Sequence, residues 1–168
     1  MEALRVATLV LSTVSVGLVA GVFFGWAVSV MPGLARVDAR TFVSAFHAMD
    51  RAIVRAPFVS VFLGGLLLTA AANLLHSGAD HRGVLPWTAA AFLLYLLSFI
   101  FTIRINIPIN NALDNVLDNA LKSAGGLDAL DVAAVRERFA EARWTYWNNV
   151  RAVLCTLALV CLAVALAL

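Results

Sequence analysis

Charged side chains are scarce in this sequence of 168 residues: Asp, Glu, Lys and Arg make up 13%, while 62% are hydrophobic and the mean hydropathy is +0.93. Soluble domains carry about 25% charged residues, so that class is excluded and an integral membrane protein is indicated. The charge that is present nearly cancels, to +2, and is scattered over the polar stretches, which leaves no basic footprint for nucleic acid. Cysteine is almost missing. Cys155 and Cys161 lie inside the last apolar run at a spacing that matches neither a CxxC redox pair nor a metal-ligand pattern, and they read as packing residues. A secretory leader is not expected either: the first apolar run has no basic region ahead of it beyond Arg5, is too long and shows no clear cleavage site. Internal repeats and low-complexity linkers are also missing.

The chain instead offers four apolar runs, about residues 6–31, 58–75, 87–105 and 152–168. A bilayer core of about 30 Å is crossed by helices at about 1.5 Å per residue, which each run can manage, the last at the lower limit. The expected fold class is therefore all-α: one integral membrane four-helix bundle over residues 1–168, with additional amphipathic helices in two polar segments. Gly17, Gly21 and Gly25 recur every four residues on the first span. Such a pattern lets another helix approach closely, within the bundle or from a second copy in a homo-oligomer. Pro32-Gly33 should end that span.

The polar segments are patterned. Between residues 38 and 54, Phe42, Ala45, Phe46, Met49 and Ile53 make one helical face and His47, Asp50 and Arg51 another. Asp50, three residues after His47, is in position to hold and orient the imidazole and raise its basicity; the alternative is an ordinary solvated face. Leu113, Val116, Leu117, Ala120 and Leu121 predict a second amphipathic helix. Beyond Gly125-Gly126 a third is predicted, with Val132, Val135, Phe139 and Ala142 opposite a solvated face of Arg136, Glu137, Arg138 and Glu141. Asn106 and Asn110 flank Pro108: they either gather hydrogen-bonding groups at the membrane boundary, or Pro108 ends the third span and they satisfy its end.

Four spans put residues 32–57 and 106–151 on one side, with the termini and the 76–86 loop on the other. Of the 12 Lys and Arg residues, only Arg5 and Arg82 fall on the second side, so the positive-inside bias makes both long segments cytoplasmic and both termini external. The protein is expected in the cell membrane. The same topology separates His47 from His76 and His81, which excludes a three-histidine metal site and bis-histidine haem ligation within one subunit.

The densest chemistry is Trp144-Thr145-Tyr146-Trp147-Asn148-Asn149-Val150-Arg151, just before the last apolar run. In a helix, Trp144, Trp147, Asn148 and Arg151 share a face and can line one wall of a cavity. Aromatic and basic residues at a span's end also act as interfacial anchors. Topology brings this stretch to the same membrane face as His47, Asp50, Asn106 and Asn110, and a polar cluster drawn from distant segments at a bundle end marks a functional site.

The combination Met31-Pro32-Gly33-Leu34, Phe42 to Asp50, Asn106-Ile107-Pro108-Ile109-Asn110 and Trp144 to Arg151 resembles the anthrone oxygenase family of small four-helix membrane proteins, in order and over nearly the whole chain. A glutamine commonly stands in that family where this chain has His47, and a histidine often stands where it has Asn149. The resemblance implies oxygenation of an anthrone-like, planar lipophilic aromatic by dioxygen, with no cofactor required. Such a substrate is a carbon acid whose conjugate base reacts with dioxygen directly, so the protein need only deprotonate, orient and stabilise charge. In that scheme His47, oriented by Asp50, is the base. Arg151 with Asn106, Asn110 or Asn148 stabilises the developing oxyanion, and Trp144 and Trp147 stack on the substrate. Copper or iron would find only one histidine and a carboxylate as ligands. A reading from another class remains open: a non-enzymatic membrane protein that binds a lipid- or quinone-like ligand or a partner subunit. Transport has less support, because no charged residue lies mid-span.

Overall fold

The computed structural model describes residues 1–78, 82–123 and 125–168; His81, assigned above to the side opposite His47, lies outside them. Four helices are long and apolar enough to cross a membrane: α1 (Glu2–Leu34), α3 (Ala56–Leu75), α4 (Leu85–Lys122) and α6 (Glu141–Ala167). Two shorter helices, α2 (Ala39–Ile53) and α5 (Val132–Arg138), lie at one end. Among the described residues there is no strand. The four spans close a ring in which α1 and α4 each pack against both α3 and α6. The all-α membrane bundle expected from hydropathy is the architecture found.

Exposure is inverted relative to a soluble bundle. Leu11, Leu18, Leu67, Leu93, Val153 and Leu157 face outward, where lipid would cover them, while Val16, Val19, Tyr95, Cys155, Ala158 and Leu162 fill the interior. Hydroxyls inside the spans have no water to bond, so they turn back on their own helix: Thr8 Oγ1 donates to the Leu4 carbonyl, Ser12 Oγ to Thr8 and Thr69 Oγ1 to Gly65, at 2.7–2.8 Å. Gly65 is needed for packing, since a Cβ there would stand 2.8 Å from Tyr95 Oη. That hydroxyl donates to the Phe62 carbonyl and ties α4 to α3. In the glycine ladder, Gly17 faces Leu159 of α6 inside the bundle, whereas Gly21 and Gly25 have open space beside them.

Pro32 does not end its helix, contrary to expectation, and of the two alternatives for Pro108 the helix end is not the one found. Each is preceded by one π-helical turn, Trp26–Val30 in α1 and Thr102–Asn106 in α4, closed by Met31 N–H to the Trp26 carbonyl and Ile107 N–H to the Thr102 carbonyl. Proline has no N–H to give and its ring crowds the carbonyl four residues back; a widened turn accommodates both. Helix α1 therefore continues to Leu34 and α4 to Lys122.

Two more boundaries differ from expectation. The Trp144–Arg151 stretch lies within the last spanning helix, which has 27 residues rather than the 17 read from hydropathy, so the site sits in the bundle rather than ahead of it. The helix predicted from Val132 past Phe139 to Ala142 is divided by Ala140, whose φ of 54° is left-handed and incompatible with helix continuation. Nor is Arg136 merely solvated. It donates to the Val37 carbonyl at 2.7 Å, pairs with Glu141 and stacks its guanidinium 4.3 Å from the Phe42 ring, fastening α5 over the end of α1.

Helix α2 starts at Asp38, whose carboxylate accepts from the Thr41 N–H at 3.0 Å, and which is held below the usual carboxylate range by that residue's hydroxyl and N–H. Its apolar face buries Phe42, Val43 and Phe46 in a cluster with Leu113, Leu117, Phe139 and Trp144. Asp50 is buried as well, rather than on the outer polar face.

Candidate functional site

Both π turns border a cavity of about 140 Å³ at the end of the bundle that α2 covers. Trp26 comes from the turn in α1, and Thr102 and Asn106 from the turn in α4. Phe23, Phe58 and Phe62 extend the aromatic wall, α6 presents Trp144, Asn148 and Arg151, and α2 presents Asp50. Val54 and Ile107, 64% and 40% exposed, stand at an apolar mouth that opens sideways between the α2–α3 corner and α4. An engineered cavity of roughly 150 Å³ takes up benzene, so this cavity has about the volume of one aromatic ring.

The polar side chains are joined in a network. Trp144 Nε1 donates to Asn110 Oδ1 at 2.7 Å, and Asn110 Nδ2 donates to Asp50 Oδ1 at 2.6 Å. Asn148 Nδ2 donates to the Phe23 carbonyl, Arg151 Nη2 to Asn148 Oδ1 and Arg151 Nη1 to Thr102 Oγ1, at 3.1–3.2 Å. Asn106 Nδ2 donates to the Trp144 carbonyl at 3.3 Å. The Arg151 guanidinium lies 4.3 Å from the Phe23 ring centroid and 5.7 Å from that of Trp144, held by cation–π attraction.

Two atoms are left over. Asn106 Oδ1 and Arg151 Nε are buried without a hydrogen-bond partner, on side chains only 1% and 4% exposed. Among the described residues no carboxylate pairs with Arg151. A buried polar atom without a partner is costly, so these two atoms are the least satisfied part of the packing around the cavity.

Asp50 is the carboxyl on the cavity wall. Burial, and then the neighbouring charge of Asp114, push it up to about 6, against the opposing pull of the Asn110 hydrogen bond and of His47.

The structure brings Asp50, Asn106, Asn110, Trp144, Asn148 and Arg151 to one cavity, and leaves out His47 and Trp147. The expected His47–Asp50 hydrogen bond is not the one formed. His47 Nδ1 is hydrogen-bonded to Asp114 Oδ1 at 2.8 Å, and Asp50 is held by Asn110, because α4 continues past Pro108 and presents Asn110, Asp114 and Asp118 to α2 at four-residue intervals. Trp147 turns away from the cavity and packs on Phe101 and Tyr146, at 4.7 and 5.4 Å between ring centroids. Asp114, Asp118, Thr102 and the wall residues Phe23, Trp26, Phe58 and Phe62 escaped the sequence reading. The four-residue spacing of Asn110, Asp114 and Asp118 was the available signal, obscured by taking Pro108 as a helix end. Among the described residues no three His, Cys, Asp or Glu side chains gather as a metal ion would require.

A helical bundle with four membrane-length spans and an aromatic, cation-bearing cavity at one end defines a small helical membrane protein. The profile of the anthrone oxygenase family matches residues 42–161, and the chain belongs to that family. The match takes in every polar side chain of the cavity and omits only the walls Phe23 and Trp26. No curated protein and no solved structure matches the chain.

Proposed function

We propose that this protein is a membrane-embedded oxygenase that converts an anthrone-like or other planar lipophilic aromatic to the quinone with dioxygen, with no cofactor required. The observation that carries this reading is the buried guanidinium of Arg151, held by Thr102 and Asn148, on the wall of an aromatic cavity that also carries Asp50. A buried cation there favours an oxygen that gains negative charge during reaction over a neutral one.

In this reading Asp50, rather than His47, takes the proton from the substrate methylene, since Asp50 lines the cavity and His47 does not. Arg151, with Thr102 and Asn148 steadying its guanidinium, stabilises the enolate oxygen. Asn106 and Trp144 orient the ring system. The electron-rich carbon then reduces dioxygen and forms a carbon–oxygen bond, and the peroxide anion takes up a proton to give a hydroperoxide. Loss of the second C–H proton with O–O cleavage releases water and leaves the new carbonyl, so one methylene and one dioxygen become one ketone and one water.

The partners implied are the lipophilic substrate, dioxygen and the bilayer, and the basic-residue bias supports a cytoplasmic site with both termini outside. The open space beside Gly21 and Gly25 suits a second copy of the chain. The test is anthrone-dependent oxygen uptake by purified protein. Arg151→Met should lower it on the order of 10²–10³-fold, the range for removing an oxyanion donor, with elution and thermal stability retained. Wild-type protein that consumes no oxygen but retains a copurified lipid would sink the reading and make this a binding protein.

A further inference from the structure

Outside the cavity, the closest cluster of titratable side chains lies between α2 and the far end of α4. Asp114, buried one helical turn beyond the Asn110 that holds Asp50, is near enough for its charge to push the Asp50 carboxyl up, and the two can share a proton when either is protonated. On its other side Asp114 Oδ1 is 2.8 Å from His47 Nδ1. The opposite ring nitrogen, Nε2, stands 3.5 Å from Asp118 Oδ1, and the second oxygen of Asp118 is 3.2 Å from the exposed guanidinium of Arg51. The side chains become progressively more open along this line, from 11% at Asp114 and 14% at His47 to 30% at Asp118 and 59% at Arg51. At its inner end is the cavity, where Asn106 Oδ1 and Arg151 Nε stand unpartnered. An ordinary structural ion pair would end at the surface; this line runs through two carboxyls into a cavity that is open for a ligand.

We propose that Asp114, His47 and Asp118 form a proton path from the cavity carboxyl Asp50 to the water at this end of the bundle, with His47 as its two-sided relay. The proposal rests on the reading of Asp50 as the group that receives the substrate proton. A cavity walled by Phe23, Trp26, Phe58 and Phe62, with an apolar mouth, offers that proton no aqueous exit of its own. Asp50 passes it to Asp114, and Asp114 passes it to Nδ1 of the imidazole. The ring releases a proton from Nε2 to Asp118, which gives it to water. Each transfer moves one proton and no electrons and leaves Asp50 ionised; protonation of the peroxide and of the departing hydroxide takes up as many protons as the methylene loses, so the path carries protons in both directions and the turnover has no net proton change. Imidazole suits the middle position because it accepts at one nitrogen while donating at the other. The charged groups facing the path are His47, Asp50 and Arg51 from α2 and Asp114 and Asp118 from α4, with Arg151 of α6 across the cavity.

Deuterium exchange of the protonated Asp50 carboxyl, followed by infrared spectroscopy in the full-length protein at pH 5 after mixing with D2O, tests the path directly and without turnover. The band is assigned by its loss in Asp50→Asn. His47→Leu and Asp114→Asn should each slow its exchange at least tenfold, and free imidazole should restore the rate in His47→Leu only. Exchange at the wild-type rate in both variants, or slowed exchange in His47→Leu that imidazole leaves unchanged, assigns the cluster a structural role and overturns the proposal, as does absence of the band. Asp114→Asn keeps the shape of the side chain and decides the matter if His47→Leu does not fold. Oxygen uptake separates the two readings: full activity in Asp50→Asn defeats the catalytic assignment, whereas the exchange rates judge the path itself.

Discussion

In the half of the bundle nearer the termini, Thr8, Ser12 and Thr69 each turn a hydroxyl onto a carbonyl four residues earlier. At the other end, Asn106 and Arg151 are equally buried, yet each keeps an atom without a partner. Both regions are walled by apolar side chains, and both hold polar groups away from water. The difference lies in whether the fold itself completes the hydrogen bonding. Where it does, the polar group is a tolerated part of the packing; where it does not, the packing keeps an unsatisfied atom beside the cavity residues.

The largest expected effect concerns Asp50. Asp50→Asn should reduce anthrone-dependent oxygen uptake on the order of 10²–10⁴-fold, the span typical for loss of a general base. The pH dependence gives a sharper test. Burial and Asp114 raise Asp50 to about 6, and its ionised form is the base, so the rate should rise with pH through about 6 and level off above it. Stability should move the opposite way. The folded state favours the protonated carboxyl, so that contribution is complete below the unfolded value of about 3.9 and is lost as pH rises through the folded value. A pH–rate curve unchanged in shape in Asp50→Asn would break the assignment.

Next in size is the contrast between the two tryptophans. Trp144→Ala removes a cavity wall and should raise KM about tenfold, near the upper end of about 0.5–1.5 kcal/mol for an aromatic contact. Trp147→Ala should leave KM unaltered, since that ring packs on Phe101 outside the cavity. Equal effects on KM would restore Trp147 to the site. The smallest effect belongs to the self-satisfied half. Thr69→Val should cost about 0.6 kcal/mol, the average for a hydrogen bond inside a membrane protein, with no change in turnover, measured by thermal unfolding and oxygen uptake. An activity loss there would erase the distinction between the two halves.

Much of the site was legible. Asn106, Asn110, Trp144, Asn148 and Arg151 were singled out by residue type, spacing and a shared membrane face, and all of them line the cavity. The errors arose from helical phase. One extra residue in a turn rotates everything beyond it by about 100°, and the π turns before Pro32 and Pro108 are of that kind. Asp114 and Asp118 were overlooked because Pro108 was taken as a helix end, and His47 was paired with the nearest carboxylate on its own helix rather than with one facing it from α4.

Hydropathy is a sum over consecutive residues, and so the sequence by itself determined the four spans, the all-α class, the loaded end of the bundle and the motifs shared with the anthrone oxygenase family. Pairing between side chains depends on the rotation of one helix against another, which no run of residues encodes locally. Tertiary structure alone therefore decided that Asp50 faces the cavity, that His47 meets Asp114, and that Arg151 is buried on Thr102 and Asn148 with no carboxylate in an ion pair with it among the described residues.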